Sequence, residues 1–198
     1  MRVLPMGQRA VLLEDLELDP ATWSAAFRAH PRPGVVDVVP AASTVLVTFS
    51  SAEARRGASF DVVQEAAVAN VRPALVQIPV TYDGADLSEV ARRTGLTTTQ
   101  VVDRHAGAEY QVAFCGFAPG FAYLRGLPEV LHLPRRTTPR TSVPAGSVAI
   151  AAEYSAIYPR RSPGGWHLLG TTDVVLFDSE RPEPALLQPG AQVRFVAT

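Results

Sequence analysis

Arg140 is the side chain whose setting points most directly to chemistry. Pro139 directly precedes it and Pro144 closes the same short segment, so the backbone on both sides is restricted and the origin of the guanidinium is fixed. A guanidinium held in this way can pair with a carboxylate or a phosphate through parallel N–H groups. The alternative is a surface ion pair, which contributes about 0 to 1 kcal/mol. We predict that Arg140 is catalytic and stabilises anionic oxygens.

His105 is the second candidate for catalysis. It lies at the end of a predicted helix, close to Glu109 and Tyr110 and just before a predicted strand. An imidazole in that place can transfer a proton near neutral pH, or it can interact with the last carbonyl groups of the helix. Spacing alone leaves both interpretations open. The other histidines, His30, His132 and His167, lack the spacing of metal ligands, so the sequence predicts no metal site.

Residues 114–126 form a glycine- and proline-rich loop with four aromatic rings, directly after a strand-like run. Aromatic rings gain free energy by leaving water, so such a loop either folds onto the core or lines a concave site that its glycines let a ligand approach. Turns at 138–148 and 158–166 repeat the combination of arginines, small residues and prolines. The predicted substrate-binding residues are Phe117, Pro119, Gly120, Phe121, Tyr123, Gly146, Ser147, Gly164, Gly165 and Trp166. For Trp166 a place in the core is the alternative.

Composition excludes several classes of protein. All 18 basic residues are arginine, so the chain offers no lysine for a Schiff base and none for the phosphates of a nucleotide. The formal net charge of -1 gives no general attraction to nucleic acid or to an anionic membrane. The absence of a long apolar stretch and of a signal-like N-terminus predicts a cytoplasmic protein without membrane contact. Cys115, the single cysteine, is predicted as a small core residue.

The elements that must position these side chains begin with an α/β domain, predicted over residues 1–82. Asp19 offers an N-cap and Pro20 the first helical position for its first helix. The predicted order is strand, helix, strand, strand, helix, strand, at residues 9–14, 20–30, 35–39, 45–49, 60–71 and 74–81. This order is that of a split βαβ, ferredoxin-like unit.

A pair of helices is predicted as a linker over residues 83–109. Asp86 with Glu89 starts the first helix, and Thr97 with Gln100 makes a capping box for the second. The pattern also fits a DNA-binding helix-turn-helix. Acidic residues in and around the pair offset its arginines, so the basic surface that phosphate contacts need is missing. We therefore favour a linker and predict no nucleic-acid partner.

From residue 110 the pattern changes to short β-like runs divided by proline-rich loops. The runs lie at 111–114, 148–151, 168–171, 174–177 and 193–196. Proline keeps strands from continuing, which favours an irregular β-barrel over a regular sandwich. The predicted fold class is α+β, with a β-barrel domain over residues 110–198.

Several long motifs, in one order, resemble a known family. They are the loop at 114–126, Thr-Pro-Arg-x-x-Val-Pro-Ala-Gly-Ser-Val at 138–148, Ile157-Tyr158-Pro159, Ser162-Pro163-Gly164-Gly165-Trp166, and Pro-Ala-Leu-Leu-x-Pro-Gly at 184–190. The chain resembles the small subunit of bacterial ATP-dependent 5-oxoprolinase, the allophanate hydrolase subunit 1 family. That family also contains a sporulation kinase inhibitor and a domain of urea carboxylase. The resemblance implies a ferredoxin-like domain followed by a cyclophilin-like β-barrel domain.

The resemblance also implies a function. The chain would be one subunit of a complex that opens 5-oxoproline to L-glutamate with ATP and Mg, in a composite active site, and it would be inactive alone. Its partners would be a large subunit related to allophanate hydrolase subunit 2, which holds most of the ATP site, and a third subunit. His105 matches the histidine of the family's His-x-x-x-Glu-Tyr stretch, which favours catalysis there. The turn at 82–87 is shorter than the family's Gly-Gly-Glu-Tyr-Gly-Pro-Asp-Leu turn. The alternative is a regulatory protein that binds and inhibits a sensor histidine kinase.

Overall fold

The computed structural model describes residues 1–60 and 75–198. The chain divides into two compact units, Met1–Pro73 and Ala74–Thr198. The predicted helix at 60–71 falls almost wholly outside the described residues. Among the helices that the structure describes, none is both long and apolar enough to cross a membrane.

The first unit is an antiparallel four-stranded sheet with two described helices. In chain order its elements are β1 (Arg2–Met6), β2 (Ala10–Glu14), α1 (Pro20–Ala29), β3 (Val35–Pro40), β4 (Val45–Phe49) and α2 (Ala52–Arg56). The strands are ordered β1-β2-β4-β3. As predicted, α1 begins at Pro20, and the Asp19 side chain accepts hydrogen bonds from the backbone N–H groups of Ala21 and Thr22. Trp23 and Phe27 on α1 pack against the buried face of the sheet, which secures the core of this unit.

The second unit is built on a seven-stranded sheet. Its strands are β5 (Leu75–Val80), β6 (Tyr110–Cys115), β7 (Ala122–Arg125), β9 (Ser147–Ala151), β10 (Tyr154–Ile157), β12 (His167–Thr171) and β13 (Gln192–Ala197). They are ordered β12-β9-β10-β7-β6-β13-β5. A separate two-stranded ribbon pairs β8 (Arg140–Val143) with β11 (Ser162–Gly164).

The seven-stranded sheet curls until its two edges meet. Thr81, just after β5, and Thr171 on β12 exchange two backbone hydrogen bonds of 2.9 and 2.8 Å. Gly84 continues this seam, because its N–H donates to the carbonyl of Leu169 at 3.0 Å. A Cβ on Gly84 would lie 2.3 Å from the backbone of Leu169, so only glycine fits this approach. The predicted mixed α/β fold with a barrel-like sheet is confirmed.

Two strand predictions need correction. The strand predicted at 74–81 to close the first domain is β5 of the second unit, where it pairs in parallel with β13. The edge position beside β2 is taken instead by β1, for which the sequence pattern gives no prediction. The run at 174–177 is not a strand, since only Phe177 makes an isolated bridge, to Ala185. Apolar alternation marks a strand but does not encode its distant partner.

The predicted helix pair is present in the second unit. Helix α3 spans Leu87–Thr94 and ends at Gly95, whose φ of 71° is left-handed. Helix α4 spans Thr98–Ala106 and begins with the predicted capping box of Thr97 and Gln100. A short 3-10 helix follows at Glu129–Leu131.

Alternation along β9 divides the second unit into two apolar layers. Val148 and Ile150 point into the barrel core, while Ala149 and Ala151 belong to a separate cluster on the other face. The second layer, called here the outer aromatic cluster, also contains Phe121, Val143, Ala156, Tyr158, Trp166 and Leu168. The aromatic loop therefore folds onto the outside of the barrel wall.

Candidate functional site

The candidate site is centred on a buried carboxylate, Asp86. Arg140 donates two hydrogen bonds to it, from Nη1 to Oδ2 at 2.8 Å and from Nη2 to Oδ1 at 2.7 Å. Arg136 donates a third from Nη1 to Oδ1 at 2.7 Å, and the backbone N–H of Leu168 donates a fourth to Oδ2 at 2.8 Å. We call Asp86, Arg136 and Arg140 the Asp86 cluster.

The electrostatics of the Asp86 cluster favour a charged carboxylate. The Asp86 side chain is only 4% exposed, and this burial raises its pKa. Hydrogen bonds from Arg140 and from the Leu168 backbone, with the charges of Arg140 and Arg136, outweigh burial, so the pKa of Asp86 lies below its ordinary value. The hydrogen bond to Asp86 in turn raises the pKa of Arg140. Two guanidinium groups against one carboxylate leave a net positive charge.

Three distant segments build the cluster. Asp86 immediately precedes α3, Arg140 opens β8 opposite Gly164 of β11, and Leu168 lies on β12. The sequence pattern predicts Asp86 as a helix start, but its side chain makes no capping hydrogen bond. Its partners are instead 50 to 82 residues away along the chain. Sequence analysis therefore missed Asp86 as a site residue.

The outer aromatic cluster adjoins the Asp86 cluster through Tyr158. The rings of Phe121 and Tyr158 lie 5.4 Å apart, and Phe121 and Tyr123 each lie within 5.7 Å of Trp166. Burial raises the pKa of Tyr158, against the effect of a backbone hydrogen bond with Trp166 and of the charges of Arg135 and Arg140. The arginines therefore lie close enough to Tyr158 for their charges to act on its hydroxyl.

The structure brings most of the predicted aromatic residues together. Phe121 and Trp166 are buried in the outer aromatic cluster, and Tyr123 packs against it half-buried. Phe117 is 59% exposed, although its ring contacts Phe121 at 5.1 Å and Tyr158 at 6.3 Å between centroids. The neighbouring Pro119 is exposed as well.

The predicted glycines are approached by protein rather than left open for a ligand. A Cβ on Gly164 would lie 2.2 Å from the hydroxyl of Tyr158, and one on Gly120 would lie 2.7 Å from Cβ of Phe177. A Cβ on Gly146 would lie 2.2 Å from the carbonyl oxygen of Thr172. These contacts give the three glycines a packing role.

Ser147 and Gly165 also have protein partners. The hydroxyl of Ser147 donates to the carbonyl of Pro144 at 2.9 Å, so it closes its own turn. The carbonyl of Gly165 accepts from the backbone N–H of Arg136 at 2.8 Å, which ties the glycine turn to the Asp86 cluster. The prediction that these residues bind substrate gains no support from their contacts.

His105 lies apart from these groups, in the barrel core. It is fully buried, with Nδ1 2.8 Å from the hydroxyl of Tyr82 and Nε2 2.9 Å from the hydroxyl of Ser155. Its ring stacks on Phe195 at 4.6 Å between centroids. Burial lowers the pKa of His105 to about 3. A neutral imidazole with both nitrogens paired favours a structural role over the predicted proton transfer.

Two surface clefts lie away from the predicted residues. One, of ≈ 440 Å³, is lined mainly by the acidic segment at 14–20 of the first unit. The other, of ≈ 300 Å³, lies beside the barrel seam and is rich in threonine. Neither is lined by a predicted site residue. Within residues 1–60 and 75–198, no three His, Cys, Asp or Glu side chains are grouped to hold a metal ion.

Comparison with known proteins gives consistent matches. A family model described as carboxyltransferase domain, subdomain C and D, matches residues 1–187. The chain is 41% identical to a 5-oxoprolinase subunit of Escherichia coli O157:H7, over 96% of this chain and 93% of that protein. It is 49% identical to the 5-oxoprolinase subunit of the same name in Haemophilus influenzae, over 61% of this chain and 58% of that protein.

A solved structure shares the fold over nearly the whole chain. The crystal structure of TTHA0988 superposes with a TM-score of 0.78 at 38% identity, over 96% of this chain. The match covers 40% of the TTHA0988 chain, so more than half of that polypeptide has no counterpart here.

Proposed function

The chain belongs to the carboxyltransferase subdomain C and D family, which is the allophanate hydrolase subunit 1 family, and we propose that it is a subunit of an ATP-dependent 5-oxoprolinase. In this proposal the assembled complex opens the lactam of 5-oxoproline to L-glutamate. The observation that carries the proposal is the 41% identity to a curated 5-oxoprolinase subunit over 93% of that protein.

We further propose that the active site is completed by partner subunits. The match covers only 40% of TTHA0988, so in that relative the corresponding segment is joined to a larger stretch of chain. A large subunit related to allophanate hydrolase subunit 2 would supply this stretch as a separate polypeptide. A third subunit would complete the complex.

The described residues of this chain do not fit a site for ATP and Mg²⁺. The chain has no lysine, and Gly120, Gly146 and Gly164 face protein atoms at contact distance or closer, so they form no cradle for phosphates. No described carboxylates are grouped as metal ligands. We therefore assign ATP and Mg²⁺ to the partner side of the complex.

The proposed contribution of this chain is to position and enclose the substrate. The Asp86 cluster carries a net positive charge, and the bonds to Asp86 use one N–H on each terminal nitrogen of Arg140. The remaining N–H groups of Arg140 are available to the carboxylate or the developing oxyanion of the substrate. Phe117 and Tyr123 would exclude water from the lactam. Proton transfer by His105 is not part of this proposal, because His105 is paired inside the barrel.

Reconstitution tests the proposed function. Purified partner subunits are mixed with ATP and 5-oxoproline, and glutamate release is measured with and without this chain. We expect release only when the chain is present, and none from the chain alone. Equal release in its absence would show that the chain is not a catalytic subunit.

A matched pair of arginine variants then tests the assigned role. Arg140→Ala should lower turnover per assembled complex about a hundredfold, the scale of losing a donor to transition-state charge. Arg194→Ala is the control, because Arg194 pairs with Glu109 at an exposed position. Equal turnover in the two variants would remove Arg140 from the site.

A further inference from the structure

Exposed apolar side chains gather on one part of the second unit. Phe117, Val175 and Phe177 are 59%, 54% and 39% exposed, and Pro119 is exposed beside them. The two segments that carry them meet at Gly120, where a Cβ would lie 2.7 Å from Cβ of Phe177. We call Phe117, Pro119, Val175 and Phe177 the Phe117 patch. Exposed apolar groups that cluster in this way are typical of a binding surface.

Phe117 is held outward by its own loop. Its φ of 67° is left-handed, which costs a non-glycine residue about 1 kcal/mol or more. The loop is closed by backbone hydrogen bonds from Ala118 to Gly116 at 2.7 Å and from Phe121 to Ala118 at 2.9 Å. Edge contacts with Phe121 and Tyr158 fix the direction of the ring. The ring is therefore ordered before any partner binds, which lowers the entropy cost of binding.

The surroundings of the Phe117 patch are positively charged. Phe117 packs against Tyr158, on whose hydroxyl the charges of Arg135 and Arg140 act. At the other end, Arg181 donates to the carbonyl of Val175 at 3.2 Å. An aromatic anchor with a basic rim calls for a complementary apolar pocket with carboxylates around it.

We infer that the Phe117 patch docks the partner subunit, the polypeptide that corresponds to the part of TTHA0988 outside the match. The partner would receive the ring of Phe117 in an apolar pocket rimmed by carboxylates. This inference rests on the proposed function, because only a heteromeric complex supplies that partner. The occupant follows from the 40% coverage, which shows that a relative joins this fold to a longer stretch of chain. Docking there would also place the partner beside the Asp86 cluster and complete one site.

The test measures binding of the purified full chain to the polypeptide from the same genome that matches the remainder of TTHA0988. Phe117→Asn removes the ring and suits the left-handed backbone, since asparagine tolerates φ near +60°. We expect its Kd to rise about 30-fold or more, the scale of an interface hot spot, with no fall in Tm. Val175→Ser is a second variant on the same patch, and its Kd should rise by a smaller factor. Val130→Ala, at another exposed position, should bind as wild type does.

The outcomes separate the inference from the proposed function. If wild type binds the partner and both patch variants bind within about threefold of it, the docking inference is wrong and the proposed function stands. If wild type neither binds the partner nor supports glutamate release, the proposed function fails, and the inference fails with it. If Phe117→Asn does not fold, Val175→Ser decides the question.

Discussion

Asp86 and Arg140 lie face to face, joined by two hydrogen bonds of 2.8 and 2.7 Å between the carboxylate and the guanidinium. The two residues are 54 positions apart in the chain. This pairing gives Arg140 a fixed direction that its neighbouring prolines alone could not provide. It also means that Arg140 supports the fold, so its loss affects both stability and the proposed chemistry.

Loss of Arg140 should destabilise the protein more than loss of a surface ion pair would. Arg140→Ala leaves the buried Asp86 with Arg136 and one backbone N–H, and hydrogen bonds to charged groups contribute about 1.5 to 3 kcal/mol. We expect the free energy of unfolding, measured in urea, to fall by an amount within that range. The sequence alone favours a nearly unchanged stability, because it gives no sign of Asp86 as a partner.

A double-mutant cycle identifies the source of this loss. Asp86→Ala and Arg140→Ala, alone and together, should show a coupling energy of about 1 to 3 kcal/mol, as contacting charged residues do. Arg194→Ala is the control, since Arg194 and Glu109 are 47% and 85% exposed and their pair should contribute under about 1 kcal/mol. Additive effects of the two cluster variants would show that the Asp86–Arg140 contact does not stabilise the fold.

The Asp86 cluster also shows where sequence analysis stops. The capping box at Thr97 and the left-handed stop at Gly95 are predictable, because they depend on residues within one helical turn. Asp86 stands at the same kind of position, before α3, yet its partners come from other elements. A local motif could not reveal them. Alternation similarly predicts a strand at 74–81 but not its pairing in parallel with the distant β13.

The packing of the glycines has the same origin. Their sequence setting suggests a close approach, and the structure has one, but the approaching atoms belong to the protein. A sequence of one chain does not state whether a ligand or a distant segment fills the space beside a glycine. For Gly165 the space is wider, with Pro139 side-chain atoms at 3.7 Å from an added Cβ.

The two adjacent glycines before Trp166 should therefore differ. Gly164→Ala places a methyl group 2.2 Å from the Tyr158 hydroxyl, so either the ring or the β11 backbone must move. We expect a loss of about 1 to 3 kcal/mol in the free energy of unfolding, typical of overpacking. Gly165→Ala has only ordinary contacts and should cost under about 1 kcal/mol. Equal losses, measured by urea unfolding, would contradict the packing role of Gly164.

The buried His105 makes stability depend on pH. In the folded chain its pKa is lowered by burial to about 3, from the ordinary value of 6.5. The facing tyrosines, Tyr82 and Tyr110, have pKa values raised by burial, so they stay protonated in this range. Below pH 6.5 the unfolded chain takes up a proton at His105 that the folded chain does not. This contribution to stability is complete above pH 6.5 and is lost progressively as the pH falls toward 3.

The expected result is a free energy of unfolding that falls by about 2 to 3 kcal/mol between about pH 6.5 and 4.5, since one pKa unit corresponds to about 1.36 kcal/mol. His105→Gln should lower stability at neutral pH by losing a paired imidazole, but it should flatten this part of the pH profile. The Asp86 carboxylate, whose pKa lies below its ordinary value, titrates outside this window. His132→Gln is the control, because His132 is exposed, and it should keep the wild-type slope. If His105→Gln retains the same slope, His105 is not buried in its neutral form and a role in proton transfer becomes open to it.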